Sequence, residues 1–324
     1  MASNSSKTSS SEKTDIVRLN INQVRLVTSA GLANRIRAID SALNLSRLLQ
    51  ASLHVEWTPD DGLFAEYEDL FLPTSRFHVS KRGASRRNRL SSLSRQLSLM
   101  CGRSFVFTDA DRFSENGGHF AHQSSPTERY WTRFPIAKLG RQCRELFIET
   151  IHEFCYPEDY SWLAPNEAVN SIAMPFLSQL RRSPSVGIHI RRGDHRVAVS
   201  QSPTDCFIHE MQRRLSNSMN TLFFVASDDV DVIQVLAKEF GDAVVSISFG
   251  KVARRRDNLE DMRLAVADLW CLSRCDEVWG SCGSSYSQLA FRLGAEVFVE
   301  MTPNGLDWQK ARRRYKAVVG RSGT

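Results

Sequence analysis

No two cysteines in this chain are spaced as CxxC. The seven present, Cys101, Cys143, Cys155, Cys206, Cys271, Cys275 and Cys282, are odd in number and scattered. That excludes a thioredoxin-like motif and a zinc site of the paired-cysteine kind, suits a reducing compartment, and leaves the thiols as core or neutral positions. A long apolar run is also lacking. No window is continuous enough for a spanning helix, so a soluble chain of cytoplasmic localisation is expected. The opening stretch MASNSSKTSSSEKT holds no apolar block and reads neither as a secretory signal nor as an anchor, which makes residues 1–15 a disordered Ser-rich leader. Charge of one sign is scarcely in excess. With 42 Lys+Arg against 36 Asp+Glu the net charge is +6, too mild for a tail or tether. It leaves open nucleic acid, a membrane surface or an anionic small substrate.

What is present is an ordinary globular composition, 324 residues with 42% of them apolar. At that length a single core has usually stopped growing, so two domains or one large α/β unit are expected, and bulk disorder is excluded. VRLVTS (24–29) reads as a strand that feeds a helix with Leu32, Ile36, Ile39 and Leu43 at helical spacing, and LHVEWT (53–58) reads as the next strand. SFVFTDAD (104–111) is a third strand with an acidic exit. Residues 112–165, punctuated by Gly, Pro and aromatics, carry no clear pattern, and a boundary is expected near Trp162 to Asn166. Beyond it SVGIHIR (185–191), TLFFVAS (221–227), AVVSIS (243–248), EVWGS (277–281) and EVFVE (296–300) alternate with helix-length segments. Continuous apolar strands between helices indicate a parallel, doubly wound sheet. The expected architecture is therefore two Rossmann-like α/β domains facing a cleft, residues 16–165 and 166–324.

Ligands of such sheets bind beyond the carboxyl ends of the strands, so chemistry is expected at those positions. After the first strand, Gly31 and Asn34 open a helix whose dipole and N–H groups favour an anion, although taken alone they read first as a plain strand-to-helix turn. After SVGIHI comes Arg191-Arg192-Gly193-Asp194. His189 and Arg191 share strand parity, and a planar guanidinium suits phosphate oxygens, while an Arg192–Asp194 surface pair would explain one arginine. Asp228 and Asp229 follow LFFVAS. The first is placed to accept from a base edge or ribose, and the second reads as the cap of VDVIQVLAKEF. Asp268 lies beside an apolar stripe of the helix that begins near Asp257, as a paired structural acid or a ligand acceptor. Gly283, Ser284, Ser285, Ser287 and Gln288 form either a phosphate cradle or a capping box built on Ser285 and Gln288.

GLANRIR, HIRRGD, VASDD and DMRLAVADLWCLSRCDEVWGSCGSSYSQLAFR, in that order, resemble the fucosyltransferase superfamily. That group contains the α-1,6-fucosyltransferases of nodulation-factor and N-glycan core type and the protein O-fucosyltransferases. The resemblance covers the first βαβ unit and most of the second half, and HxRRGD is its most specific part. It implies a GT-B fold, GDP-fucose as co-substrate bound mainly by the C-terminal domain, inversion at the anomeric carbon and no metal. It implies Arg191 on the β-phosphate, with Arg192 in the same donor-binding turn, and His189 against the nucleoside. Asp268 and Asp228 would meet the guanine, Ser284, Ser285, Ser287 and Gln288 the diphosphate, and Asn34 would reach in from the N-terminal side. Core-type enzymes carry a Lys and a Glu a few residues after the RRxD turn, where this chain has His195 to Val199. Asp194, His195 or Asp205 would then serve as base, or the reaction needs little base at all.

Two other readings stand beside this one. Asp109-Ala110-Asp111 resembles the DxD signature of metal-dependent glycosyltransferases. The basic runs Lys81 to Arg95, Lys251 with Arg254 to Arg256, and Arg312 to Arg314 would suit a polyanion or a peripheral membrane contact, although no nucleic-acid recognition signature accompanies them. Another sugar on the same scaffold is a third possibility. The acceptor, whether a glycan, a glycolipid or a protein, is expected on the N-terminal domain, with Tyr130 and Trp131 as aromatic platforms.

Overall fold

A computed structural model describes residues 20–80, 104–108, 143–155, 160–193, 196–248 and 257–313. The leader, the basic run from Lys81, Asp109, Asp111, Tyr130, Trp131, Lys251, Arg254 to Arg256 and Arg314 lie outside these residues. The chain forms two compact units, one of residues up to Glu68 with Leu72–Leu163, the other of Asp69–Phe71 with Ala164 onward. Among the described residues the fold is mixed α/β, with parallel sheets and seven helices. No described helix is long and apolar enough to cross a membrane.

The first unit contains β1 (Gln23–Thr28), α1 (Leu32–Leu49), β2 (Ser52–Trp57), β3 (His78–Ser80), β4 (Ser104–Thr108) and β5 (Glu145–Glu149). They order as β3-β2-β1-β5-β4, every neighbouring pair parallel. Strand β1 alternates, with Val24 and Leu26 fully buried, and α1 buries Ile36, Ile39 and Leu43. Arg35 of α1 is also buried. It is ion-paired with Asp60 at 2.6 Å, donates to the carbonyls of Ala30 (2.8 Å) and Thr58 (2.6 Å), and lies over the Trp57 ring. The charge is tolerated because its donors meet acceptors, and it fastens the turn after β1 to the segment after β2.

Strand β5 is interior in this sheet, paired on both sides, yet it lies in the stretch where the sequence carries no clear pattern. Glu145 and Glu149 bracket three apolar residues, too few for a periodicity to register.

The second unit contains α2 (Glu167–Leu180), β6 (Ser185–Ile190), α3 (Arg196–Gln201), α4 (Thr204–Asn217), β7 (Leu222–Ser227), α5 (Val230–Phe240), β8 (Val244–Val245), α6 (Leu259–Leu272), β9 (Glu277–Ser281), α7 (Ser285–Leu293), β10 (Val297–Thr302), β11 (Gly305–Leu306) and β12 (Arg312–Arg313). The sheet order is β11-β10-β9-β6-β7-β8, with β12 also on β10. Strands β10, β9, β6, β7 and β8 run parallel, while β11 and β12 pair antiparallel to β10. All six residues of β6 are buried, as a strand covered on both faces requires. The chain adds β7 and β8 on one side of β6, then crosses to add β9 and β10 on the other. Between β6 and β9 the winding reverses, which is where open α/β sheets form their ligand crevice.

The strand expected at 243–248 stops after Val245. Ser246 accepts a hydrogen bond from the Ser248 amide at 3.2 Å, a local turn that competes with the ladder. Strand β10 runs on to Thr302, two residues beyond the expected end.

Candidate functional site

The carboxyl edge of the second sheet is stitched by serine hydroxyls. Ser227 at the end of β7 donates to the Ile190 carbonyl at 2.7 Å. Ser281 at the end of β9 donates to the His189 carbonyl (3.4 Å) and accepts from the Arg191 amide (3.0 Å). Ser202 donates to the Met301 carbonyl of β10 at 2.7 Å and accepts from the Cys282 amide at 2.8 Å. Four strand ends are thereby held in register at the winding reversal.

His189 is buried, and its Nδ1 lies 2.7 Å from Ser287 Oγ and 3.3 Å from Ser284 Oγ. Its ring centre is 4.7 Å from that of Tyr286, whose hydroxyl donates to the Ala265 carbonyl of α6. Helix α7 comes this close because position 280 is glycine. A Cβ there would stand 2.4 Å from Ser287 Cβ. Ser284 caps α7, its side chain accepting from the Ser287 amide at 3.4 Å. The capping box read onto Ser285 and Gln288 is therefore corrected, because the cap sits one residue earlier. Gln288 lies beyond the box position and reaches Glu300 Oε1 (3.5 Å), which also accepts from the Gly283 amide (3.4 Å).

Arg191 emerges half-buried from the end of β6, and its Nη1 is ion-paired with Asp228 Oδ2. The other oxygen of Asp228 accepts from the Arg192 amide at 2.7 Å. One carboxylate thus fixes both the Arg191 fork and the backbone that carries it. Arg192 turns elsewhere, its Nη2 donating to Thr204 Oγ1 (2.6 Å) and the Ser202 carbonyl (2.9 Å), its Nη1 to the Arg191 carbonyl (3.0 Å). Burial pulls its pKa below the usual arginine value, while Asp228 and Asp229 oppose the shift. Asp229 caps α5 by accepting from the Asp231 amide, as expected.

Asp268 is buried on α6, one turn beyond Ala265 and one turn before Cys271, and burial together with the Asp268 charge pushes the Cys271 thiol up. Asn34 lies in the first unit, half-buried in the first turn of α1, its amide on the Gly31 carbonyl. Asp194 and His195 lie outside the described residues, and Asp205 is exposed in the first turn of α4. Among the described residues no group of three His, Cys, Asp or Glu is placed to hold a metal ion.

The structure therefore brings His189, Ser284 and Ser287 together, and Arg191 with Asp228, with Ser281 linking the two groups through β6. Sequence reasoning missed Ser281, Ser202, Tyr286 and Glu300. Strand-end position was the available signal for Ser281 and for Glu300, the last residue of EVFVE, whereas Ser202 meets the site only through the tertiary fold. The assembly offers a fixed guanidinium, a helix N-terminus and clustered hydroxyls, a set suited to phosphate oxygens.

No protein-family model matches the chain, and no curated protein matches it by sequence. Solved structures do match. NodZ α-1,6-fucosyltransferase soaked with GDP-fucose aligns at a TM-score of 0.58 and 13% identity over 91% of this chain and 100% of that one. Fucosyltransferase NodZ from Bradyrhizobium aligns at 0.56 and 14% over 90% and 99%. A mutant of Arabidopsis thaliana FUT1 in complex with GDP aligns at 0.55 and 12% over 92% and 75%. By structure, this chain has the fold of the fucosyltransferase NodZ and of FUT1.

Proposed function

We propose that this chain is a glycosyltransferase that moves fucose from GDP-fucose to a glycan or glycoconjugate acceptor, with inversion and without a metal. The observation that carries the reading is the Arg191–Asp228 pair beside the His189–Ser284–Ser287 cluster at the winding reversal, in a chain with the fold of NodZ, a fucosyltransferase studied with GDP-fucose. The reading includes a GT-B arrangement of two Rossmann-like domains, residues 16–165 for the acceptor and 166–324 for the donor, in the cytoplasm. The basic runs would allow peripheral contact with a membrane.

In this reaction the bond between the fucose anomeric carbon and the β-phosphate oxygen breaks, and its electron pair stays on the phosphate. An acceptor hydroxyl forms the new bond from the opposite face and loses its proton. Negative charge grows on GDP as the sugar becomes oxocarbenium-like, so a guanidinium already aimed at the phosphate lowers the barrier without reorganising. We assign that role to Arg191. Asp228 is assigned to orienting Arg191 rather than to the guanine, since both its oxygens serve the β6 turn. Arg192 braces that turn. His189 supports the nucleoside side, Ser284, Ser285, Ser287 and Gln288 line the diphosphate, Asp268 reads the guanine, and Asn34 approaches from the first unit. Asp194, His195 and Asp205 are the candidates for receiving the acceptor proton.

A thermal-shift series with GDP, UDP, ADP and dTDP tests the donor. A ligand that binds only the native state raises Tm, and at about 100 times its Kd it adds about 2.7 kcal/mol. GDP is expected to stabilise the chain more than the other three, and stabilisation by UDP alone would overturn the assignment.

A further inference from the structure

Away from that site, a pocket of about 320 Å³ opens on the second unit between the last turns of α4, the face of β9 and the turn after β11. The site above meets the start of α4, where Thr204 accepts from Arg192 and the preceding Ser202 accepts from the Cys282 amide, whereas this pocket is lined by the last turns of α4, with Arg214 paired to Glu277, the first residue of β9. The two therefore lie toward opposite ends of α4.

Trp308 lines the pocket and keeps 39% exposure. Its position is fixed from both sides. Gly305 turns with φ +92°, a left-handed conformation that favours glycine, and its Cα lies close against Glu210 of α4, where a Cβ would stand 2.7 Å from Oε1. Glu210 accepts from the Leu306 amide at 3.4 Å, and Asp307 caps the turn that carries Trp308 by accepting from the Lys310 amide.

The polar lining is matched in charge. Arg213 pairs with Glu210 at 2.6 Å. Arg214 pairs with Glu277 at 2.6 Å and lies over the Trp279 ring, whose Nε1 donates to the same carboxylate. Asn217 donates to the Arg213 carbonyl and offers its amide oxygen as an acceptor. A polyanion needs unmatched cations, and a wholly apolar ligand would strip water from the charged side chains that line the walls. This pocket instead sets an exposed indole beside donors and acceptors whose charges cancel. A pyranose ring is complementary to that set, with a C–H face that stacks on indole and hydroxyls that both donate and accept. The volume lies at the small end of ligand pockets, roughly 300–1,000 Å³, and suits one or two sugar rings.

We propose that this pocket is a saccharide-binding subsite for an uncharged sugar unit, separate from the donor site and independent of the nucleotide reading. The test is calorimetric titration of the full chain, under saturating GDP, with chitotetraose, cellotetraose, maltotetraose and a sulfated tetrasaccharide. At least one neutral sugar is expected to bind more tightly than the sulfated one. Trp308→Ala is expected to weaken that binding about tenfold, the weight of one aromatic contact, with its Tm unchanged, and Trp308→Phe to recover part of it. Binding by none of the neutral sugars would overturn the proposal. So would preference for the sulfated sugar, or neutral-sugar binding that Trp308→Ala leaves intact.

Discussion

Arg191 and Asp228 divide one task between them. In the proposed reaction the guanidinium meets the leaving group, and the carboxylate ion-paired with it sets where the guanidinium points. Arg191→Ala is expected to fold and to lose about two to three orders of magnitude in kcat, measured as GDP release in the presence of acceptor. Near-normal turnover would remove Arg191 from the chemistry. Asp228→Asn keeps the shape and removes the charge that holds the fork, so kcat is expected to fall by about tenfold to a hundredfold. KM for the donor and the GDP thermal shift should change little, since binding before the transition state relies on the remaining contacts. A loss confined to KM would make Asp228 a ground-state ligand instead. At this scale HIRRGD was informative because two arginines at the exit of an apolar strand demand partners. That Arg192 serves Ser202 and Thr204 was not legible, since those partners come from the following helical segment.

Helix α7 sits against β9 because Gly280 leaves room for Ser287, and Ser284 then closes its first turn. Gly280→Ala forces a methyl into that contact and should destabilise the chain by about 1–3 kcal/mol, the usual cost of overpacking. The urea midpoint checks this, and the GDP shift should shrink with it because His189 loses its seat on Ser287. An unchanged midpoint would show that α7 yields without cost. The strands on either side of this contact are legible in sequence, β6, β7 and β9 within a residue of the observed ends, because each is an apolar run bounded by polar residues. Strand β5 is not, because its interior place comes from pairing with both β1 and β4 and leaves little mark on its own five residues.

At the scale of the whole molecule, stability should depend on pH through a row of charges across the first sheet. Arg25 pairs with Glu145 at 2.7 Å, while His54 neighbours Arg25 in register and lies against His78, with ring centres 5.5 Å apart. Burial, then Arg25, then His78, lower the His54 pKa below its ordinary 6.5, with Glu145 opposing. The folded chain therefore binds that proton less readily than the unfolded chain. The contribution is present above about pH 6.5 and is lost as pH falls from there through the lowered folded value. Urea unfolding from pH 8 to pH 5 should show this loss, and His54→Gln should flatten the profile over that window. An identical profile in the variant would assign the dependence to other groups. The alternation of strands and helices made the α/β class readable, yet nothing local in the sequence shows that β6 and β9 become neighbours. That adjacency arises when β9 crosses β6 to pair on its free side, and the site depends on it.

The serine stitching has a consequence for exchange of bound molecules. Ser227, Ser281 and Ser202 each tie two segments of the rim, so the hem of the sheet is already ordered before anything occupies it. Under the proposed function a departing diphosphate would leave a surface that does not slacken, and an arriving one would freeze few new degrees of freedom there, with the sheet acting as a rigid anvil.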